Sequence, residues 1–239
     1  MRLPLLDRDE PEFPDPRWAL SEPDGLLAVG GNLAETTLLQ AYDRGIFPWY
    51  QTPDPILWWS PSIRCVIEPA QFHCSKSLRK VLRRNDYSVT TNRAFERVIA
   101  HCSDPRDAAG GTWISADIIQ AYTALHHAGR AHSVEVWRDD DLIGGVYGVA
   151  VGAVFCGESM FSRGDHGSKI ALAHLCRWGM DAGLDLLDCQ LVNPHLLTLG
   201  ASAIDRSLFL QRLQLAHHSP PDWSCFGNVE VPGAMRFTW

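Results

Sequence analysis

The run Asp188-Cys189-Gln190-Leu191-Val192-Asn193-Pro194-His195-Leu196 follows an apolar stretch and carries a carboxylate and an amide two residues apart. Alternate side chains of a strand share a face, so a strand over Leu184 to Gln190 sets Asp188 beside Gln190 and turns Leu187 and Cys189 away. That pair suits packing poorly and suits the holding of a reacting group well. A second polar cluster, Cys156-Gly157-Glu158-Ser159-Met160-Phe161-Ser162-Arg163, adds the acid Glu158 among apolar neighbours. Two acids and an amide point to proton handling and orientation of a nucleophile.

Other motifs carry less. Gly157-Glu158-Ser159-Met160-Phe161 begins like a nucleophile elbow but puts Phe161 where that sharp turn needs a small residue. Gly164-Asp165-His166-Gly167-Ser168-Lys169 has Lys and Ser in the wrong order for a phosphate loop. It remains a Gly-rich turn whose backbone N–H groups could meet an anion at a helix start. The ten histidines show no metal-ligand spacing.

The elements that must position these groups follow from periodicity. After a turn-rich, Pro- and Trp-rich lobe with one helix over Leu33 to Arg44, closed by Gly45, strand and helix signals alternate from Cys65 onward. Strands are predicted over Arg64–Ile67, Ser88–Thr91, Ser133–Trp137, Leu142–Val149, Ala153–Glu158 and Leu184–Cys189. Helices are predicted over Ser75–Asn85, Arg93–Cys102, from Ser115 as N-cap to His127, over Ser168–Ala182 before Gly183, from Pro194, and over Arg206–His217. This is the α+β class: a mixed sheet with an antiparallel central meander, flanked by helices. The texture break divides the chain into a small domain at 1–61 and a catalytic domain at 62–239.

Composition fits a folded chain of this size, with 46% apolar and 21% charged residues among 239. Seven cysteines without a Cys-x-x-Cys pair speak for reduced thiols rather than a disulfide framework or zinc ribbon. The acidic start and the short uncharged stretch Gly144–Gly157 give neither a signal peptide nor a membrane span. A cytoplasmic protein is expected.

Net charge is −7, but it is unevenly spread. Residues 1–24 hold seven acids and three bases, whereas 76–106 hold eight bases, Arg106 the last, and three acids. Lys76, Arg79, Lys80, Arg83 and Arg84 share one helix that turns Leu78, Val81 and Leu82 the other way. Such a face either binds phosphates or is simply solvated. Trp49, Trp58, Trp59 and Trp113 sit beside Gly or Pro turns rather than in periodic apolar segments; any one of them is first a candidate core residue, while the set could stack unpaired bases. Basic helix and indoles together suggest the single-stranded end of an RNA.

In order and spacing, Phe47-Pro48-Trp49, Trp58-Trp59-Ser60-Pro61, Gly111-Thr112-Trp113-Ile114, Gly144-Gly145-Val146-Tyr147-Gly148, Phe155 through Ser162 and Asp188-Cys189-Gln190 resemble the bacterial leucyl/phenylalanyl-tRNA–protein transferases. The resemblance implies a small N-terminal domain followed by an acetyltransferase-like (GNAT) domain. It implies transfer of Leu or Phe, and Met less well, from aminoacyl-tRNA to the N-terminal Arg or Lys of a protein, marking it for N-degron degradation. No cofactor or metal is implied, and the chain is expected to act as a monomer off the membrane.

The same resemblance makes Asp188 and Gln190 a catalytic relay; Glu158, among its apolar neighbours, is the other candidate site acid. It sets Trp49 and Trp113 on the terminal adenosine and the basic helix on the acceptor stem. Val146, Phe155, Met160, Leu175 and Leu187 are expected to form the side-chain pocket, with Asn193 also binding substrate. An ester donor needs no enzyme nucleophile, only orientation, proton removal and oxyanion donors. Gln190 is expected to position the amine, and Asp188 to polarise that amide and stabilise the developing charge. A CoA-dependent acetyltransferase and a silent RNA-binding module stay open on the residues alone.

Overall fold

A computed structural model describes residues 3–84, 86–104 and 112–226. Asn85, Arg106, Gly111 and the stretch from 227 to the expected domain end lie outside the described residues.

The first sixty residues build a four-stranded sheet, ordered β1-β2-β4-β3, from β1 (Leu5–Leu6), β2 (Leu26–Gly30), β3 (Phe47–Pro48) and β4 (Leu57–Trp59). Helix α1 (Glu35–Asp43) leaves through Gly45 at φ +70°, a left-handed backbone that glycine accepts without strain. This sheet is absent from the sequence reading because strands of two to five residues carry little legible alternation.

The chain then enters a seven-stranded sheet ordered β11-β5-β10-β9-β8-β7-β6. Its members are β5 (Ile63–Ile67), β6 (Ser88–Thr91), β7 (Ala131–Arg138), β8 (Asp141–Val151), β9 (Val154–Ser162), β10 (Leu186–Gln190) and β11 (Ser202–Asp205). All neighbours are antiparallel except β9 and β10, which the crossover helix α5 (Gly167–Ala182) makes parallel. Helices α2 (Lys76–Arg84) and α5 cover one face. Helices α3 (Phe95–Ser103) and α4 (Ala116–His127) cover the other, and α6 (Pro194–Leu197) and α7 (Arg206–Ala216) follow β10 and β11. Ser115 caps α4 as expected, its side chain accepting from Ile118 N. The mixed sheet flanked by helices is the architecture anticipated; the small sheet before it is not.

One apolar core joins the two sheets: Phe13, Leu27, Trp58 and Tyr42 pack in the same cluster as Phe95, Ile118, Tyr147 and Phe209. A second core, under α2 and α5, gathers Leu78, Val146, Phe155, Ile170, Leu175 and Leu187.

Two departures from expectation matter for the site. Strand β9 continues to Ser162, so Glu158 lies inside it rather than at its end. The register also slips there, Tyr147 facing Ser159 while Gly148 faces Gly157, so Glu158 is the extra residue of a bulge. A second bulge in β10 leaves Cys189 unmatched, with Asp188 opposite Val66 and Gln190 opposite Cys65.

Helix α5 docks by close backbone approach. A Cβ on Gly144 would stand 2.4 Å from the Gly167 Cα. Gly144→Ala must push the helix off the sheet and should lower the denaturant-unfolding free energy by about 1–3 kcal/mol. Wild-type stability in that variant would contradict the docking.

Candidate active site

Strands β9 and β10 run paired only from Leu186 and Val154 to Asp188 and Cys156. Beyond that rung β9 stays with β8 while β10 runs on to Gln190 against β5, and a cleft of about 630 Å³ opens between them. Into it come Glu158 and Met160 from β9, and Leu187, Asp188 and Gln190 from β10. Val146, Phe155 and Leu175 line its α5 side, Trp49 and Trp113 the opposite rim, and Asn193 the end near α6. Every expected catalytic and substrate-binding residue thus borders one cavity. The basic helix does not line it.

Asp188 is fully buried, and its partner is a residue the sequence reading missed. Arg64 of β5 donates from Nε to Asp188 Oδ1 at 2.8 Å and from Nη2 to Oδ2 at 2.6 Å, with both side chains shut off from solvent. The guanidinium also donates to the Gly45 carbonyl at 3.1 Å and lies over the rings of Phe47 and Phe209, 4.8 and 4.4 Å from their centroids. A lone charge in the apolar strand Ile63-Arg64-Cys65-Val66-Ile67 was the available signal, because a buried charge needs a partner.

Gln190 is held at two points. Its backbone N–H donates to Asp188 Oδ1 at 2.9 Å, and its side-chain Nε2 donates to Glu158 Oε1 at 2.8 Å. The expectation that Asp188 polarises the Gln190 side-chain amide is therefore corrected: Glu158 holds that amide, and Asp188 holds the backbone. Leu187 and Cys189 do turn away from that pair: both pack with the α5-side core and reach the cleft from its apolar side. The bulge at Cys189 and the left-handed Gln190, φ +63°, break the alternation.

Glu158 also accepts from the Tyr122 hydroxyl at 3.2 Å, and the Tyr122 and Tyr42 hydroxyls bond to each other. Burial pushes the Glu158 carboxyl up to about 7; the tyrosine hydroxyls and Arg64 pull it back, and Asp188 adds to the rise. Because the bulge shifts the side-chain alternation, Glu158 turns toward α1 and α4 while Met160 packs with the α5-side core. The cleft accordingly has a polar half and an apolar half on the two sides of the sheet.

The tryptophans divide. Trp58 is fully buried, donates to the Gly30 carbonyl at 2.9 Å and meets Phe13 edge-on, so it is core rather than a platform. Trp59 supports Trp49, donating to its carbonyl at 2.7 Å with rings at 63°. Trp49 is 41% exposed at the cleft rim and Trp113 is half-buried. Asn193 caps α6 through its Oδ1, which accepts from His195 N at 2.8 Å. At the Gly-rich turn, the Ser168 N–H is already taken by Ser162 Oγ at 2.9 Å. On α2, Lys76, Arg79, Lys80, Arg83 and Arg84 are all exposed, with Arg84 paired to Asp86 at 2.5 Å. Among the described residues no group of three or more His, Cys, Asp or Glu side chains could hold a metal ion, and no helix is long and apolar enough to cross a membrane.

Removing one partner of a buried ion pair strands the other charge. Arg64→Met should cost about 3–5 kcal/mol of stability, and adding Asp188→Asn should restore part of it. Strict additivity in denaturant unfolding would show that the pair is not coupled.

The model described as leucyl/phenylalanyl-tRNA protein transferase matches residues 66–214, and that of its N-terminal domain matches 31–62. The leucyl/phenylalanyl-tRNA–protein transferase of Klebsiella pneumoniae is 49% identical over 236 residues, covering 98% of this chain and all of its own. That of Shewanella baltica is 48% identical over 229 residues, covering 96% and 97%. Among solved structures, a GCN5-related N-acetyltransferase from Kribbella flavida aligns with 68% of this chain and 59% of its own, at 11% identity and a TM-score of 0.38. The chain belongs to the leucyl/phenylalanyl-tRNA–protein transferase family and is an aminoacyltransferase that moves an aminoacyl group from tRNA to protein.

Proposed function

We propose that this enzyme transfers Leu or Phe, and Met less well, from aminoacyl-tRNA to the α-amine of an N-terminal Arg or Lys, marking the acceptor for N-degron degradation. The observation that carries the reading is the doubly held Gln190 at the boundary between the polar and apolar halves of the cleft. The donor ester is already activated, and the acceptor α-amine has an ordinary pKa near 7.7–8.0. The amine nitrogen attacks the ester carbonyl, the C–N bond forms, and the ribose oxygen leaves and takes a proton.

With Nε2 committed to Glu158, the Gln190 carbonyl is the end left to accept from the amine and aim its lone pair. Glu158 fixes which way the amide faces. Asp188 acts one step back: charge-paired and bonded to the Gln190 backbone, it positions rather than meets the amine. Water or the tRNA terminal hydroxyls carry the proton away. The pocket of Val146, Phe155, Met160, Leu175 and Leu187 takes the donor side chain, and apolar discrimination of about 1–3 kcal/mol per methylene suits a site that accepts several. Trp49 and Trp113 stack the terminal adenosine, and α2 grips acceptor-stem phosphates.

The direct test is transfer of labelled Leu or Phe from charged tRNA to a protein with N-terminal Arg, with N-terminal Ala as control. Label on the Arg protein alone is the expected result; none on either would end the reading.

Gln190→Ala should lower kcat about 100-fold with a smaller change in KM. An unchanged kcat would remove Gln190 from the reaction. The ionised Glu158 carboxylate accepts from Tyr122 and Gln190 at once, whereas its protonated form turns one oxygen into a donor and loosens the amide. Below about 7 Glu158 is protonated in the folded enzyme and above it ionised. The kcat should therefore rise with pH through that region, and Glu158→Gln should remove this step and leave only the rise that the acceptor amine gives near 7.7–8.0. A profile unaltered by Glu158→Gln would contradict this role. Lys80→Glu or Arg83→Glu should raise KM for aminoacyl-tRNA and flatten its salt dependence, without changing KM for the acceptor. An unchanged salt slope would place the RNA elsewhere.

A further inference from the structure

The apolar half of the cleft has one wall whose position is set from outside it. Phe155 is fully buried and lines the cleft. Its ring fills the space in front of Gly148, where an added Cβ would stand 2.6 and 2.8 Å from ring carbons. Trp223 stacks against the same ring, centroids 5.8 Å apart and planes at 29°, without itself lining the cleft. The residue that could yield or resist behind Phe155 is thus an indole more than sixty residues further along the chain.

That indole is fixed on several sides. Its Nε1 donates to the Gly152 carbonyl at 3.2 Å, and its face stacks on His132 at 5.0 Å and 12°. Trp178 of α5 packs against it at 5.1 Å and Phe226 at 5.7 Å. Phe226 is buried in turn, its carbonyl accepting from Thr91 Oγ1. The short 3₁₀ turn Trp223–Phe226 is therefore tied to β6, β7 and the turn between β8 and β9. It lies beyond residue 214, where the matched family region ends.

We infer that Trp223 is a specificity-positioning residue: by backing Phe155 it fixes the depth of the donor side-chain pocket, and with it the relative acceptance of Phe and Leu. The inference rests on the reading that this pocket holds the donor side chain. Deleting the indole leaves room behind Phe155 that the core refills only partly. The Phe155 ring can then retreat, which admits the longer aromatic donor more easily and leaves Leu with fewer contacts.

The test is competition between Leu-tRNA and Phe-tRNA, with kcat/KM for each donor measured for wild type, Trp223→Ala, Trp223→Phe and Leu125→Ala. Leu125 is a fully buried residue of α4 in the other core, so Leu125→Ala controls for loosening of the fold. The Phe-to-Leu ratio should rise about 3- to 10-fold in Trp223→Ala, less in Trp223→Phe, and stay unchanged in Leu125→Ala. Should Trp223→Ala fail to fold, Trp223→Phe decides by the direction of its shift. Equal loss for both donors, or an equal shift in Leu125→Ala, would overturn the inference. Wild-type enzyme that transfers neither amino acid would instead sink the reading of the pocket.

Discussion

The buried pair of Arg64 and Asp188 is the constraint on which the site depends. Two charges removed from water cost several kcal/mol each, and a bidentate contact offsets that cost only when its geometry is good. Here the fork is satisfied at Asp188 and at the Gly45 carbonyl, between two aromatic rings. Those partners come from β5, β10, the small sheet's Phe47, the end of α1 and Phe209 of α7, so one ion pair clamps five elements together. Its contribution lies in placement: the same Asp188 oxygen that meets Arg64 Nε accepts the Gln190 N–H.

Placement of Gln190 then becomes placement of the chemistry. The parting of β9 and β10 opens the sheet at the point where the left-handed Gln190 ends its strand. The bulge at Glu158 sends the acid to one face and Met160 to the other, which separates proton handling from side-chain recognition. A bulged, parted strand pair gives up some ladder hydrogen bonding, and β8, paired along most of its length with both β7 and β9, anchors it in the sheet. Amide, acid and ion pair share one face, and the apolar pocket occupies the other.

How much of this was legible follows from scale. The long elements α4, α5, β7 and β8 show their period over many residues, and their caps at Ser115 and Gly183 are chemically explicit. The small sheet and β11 were not visible, since the first has strands of two to five residues and the second is a largely exposed strand without alternation. Asp188, Gln190 and Glu158 stood out as polar groups in apolar runs. Their mutual bonding did not, because each bulge shifts the alternation by one residue and sequence carries no sign of where a ladder slips. Tyr42 and Tyr122 read as ordinary core residues of helices, which they also are. Trp223 reads as one indole among nine until its ring is seen against Phe155.

The most direct measurement is a crystal structure with an adenosine bearing Phe through a non-hydrolysable amide in place of the ester. The phenyl ring should lie among Val146, Phe155 and Leu175, with the amide carbonyl beside Gln190 and the Gln190 Nε2 still on Glu158. An analogue bound outside the cleft, or a Gln190 side chain turned away from Glu158 when the analogue is present, would contradict the account.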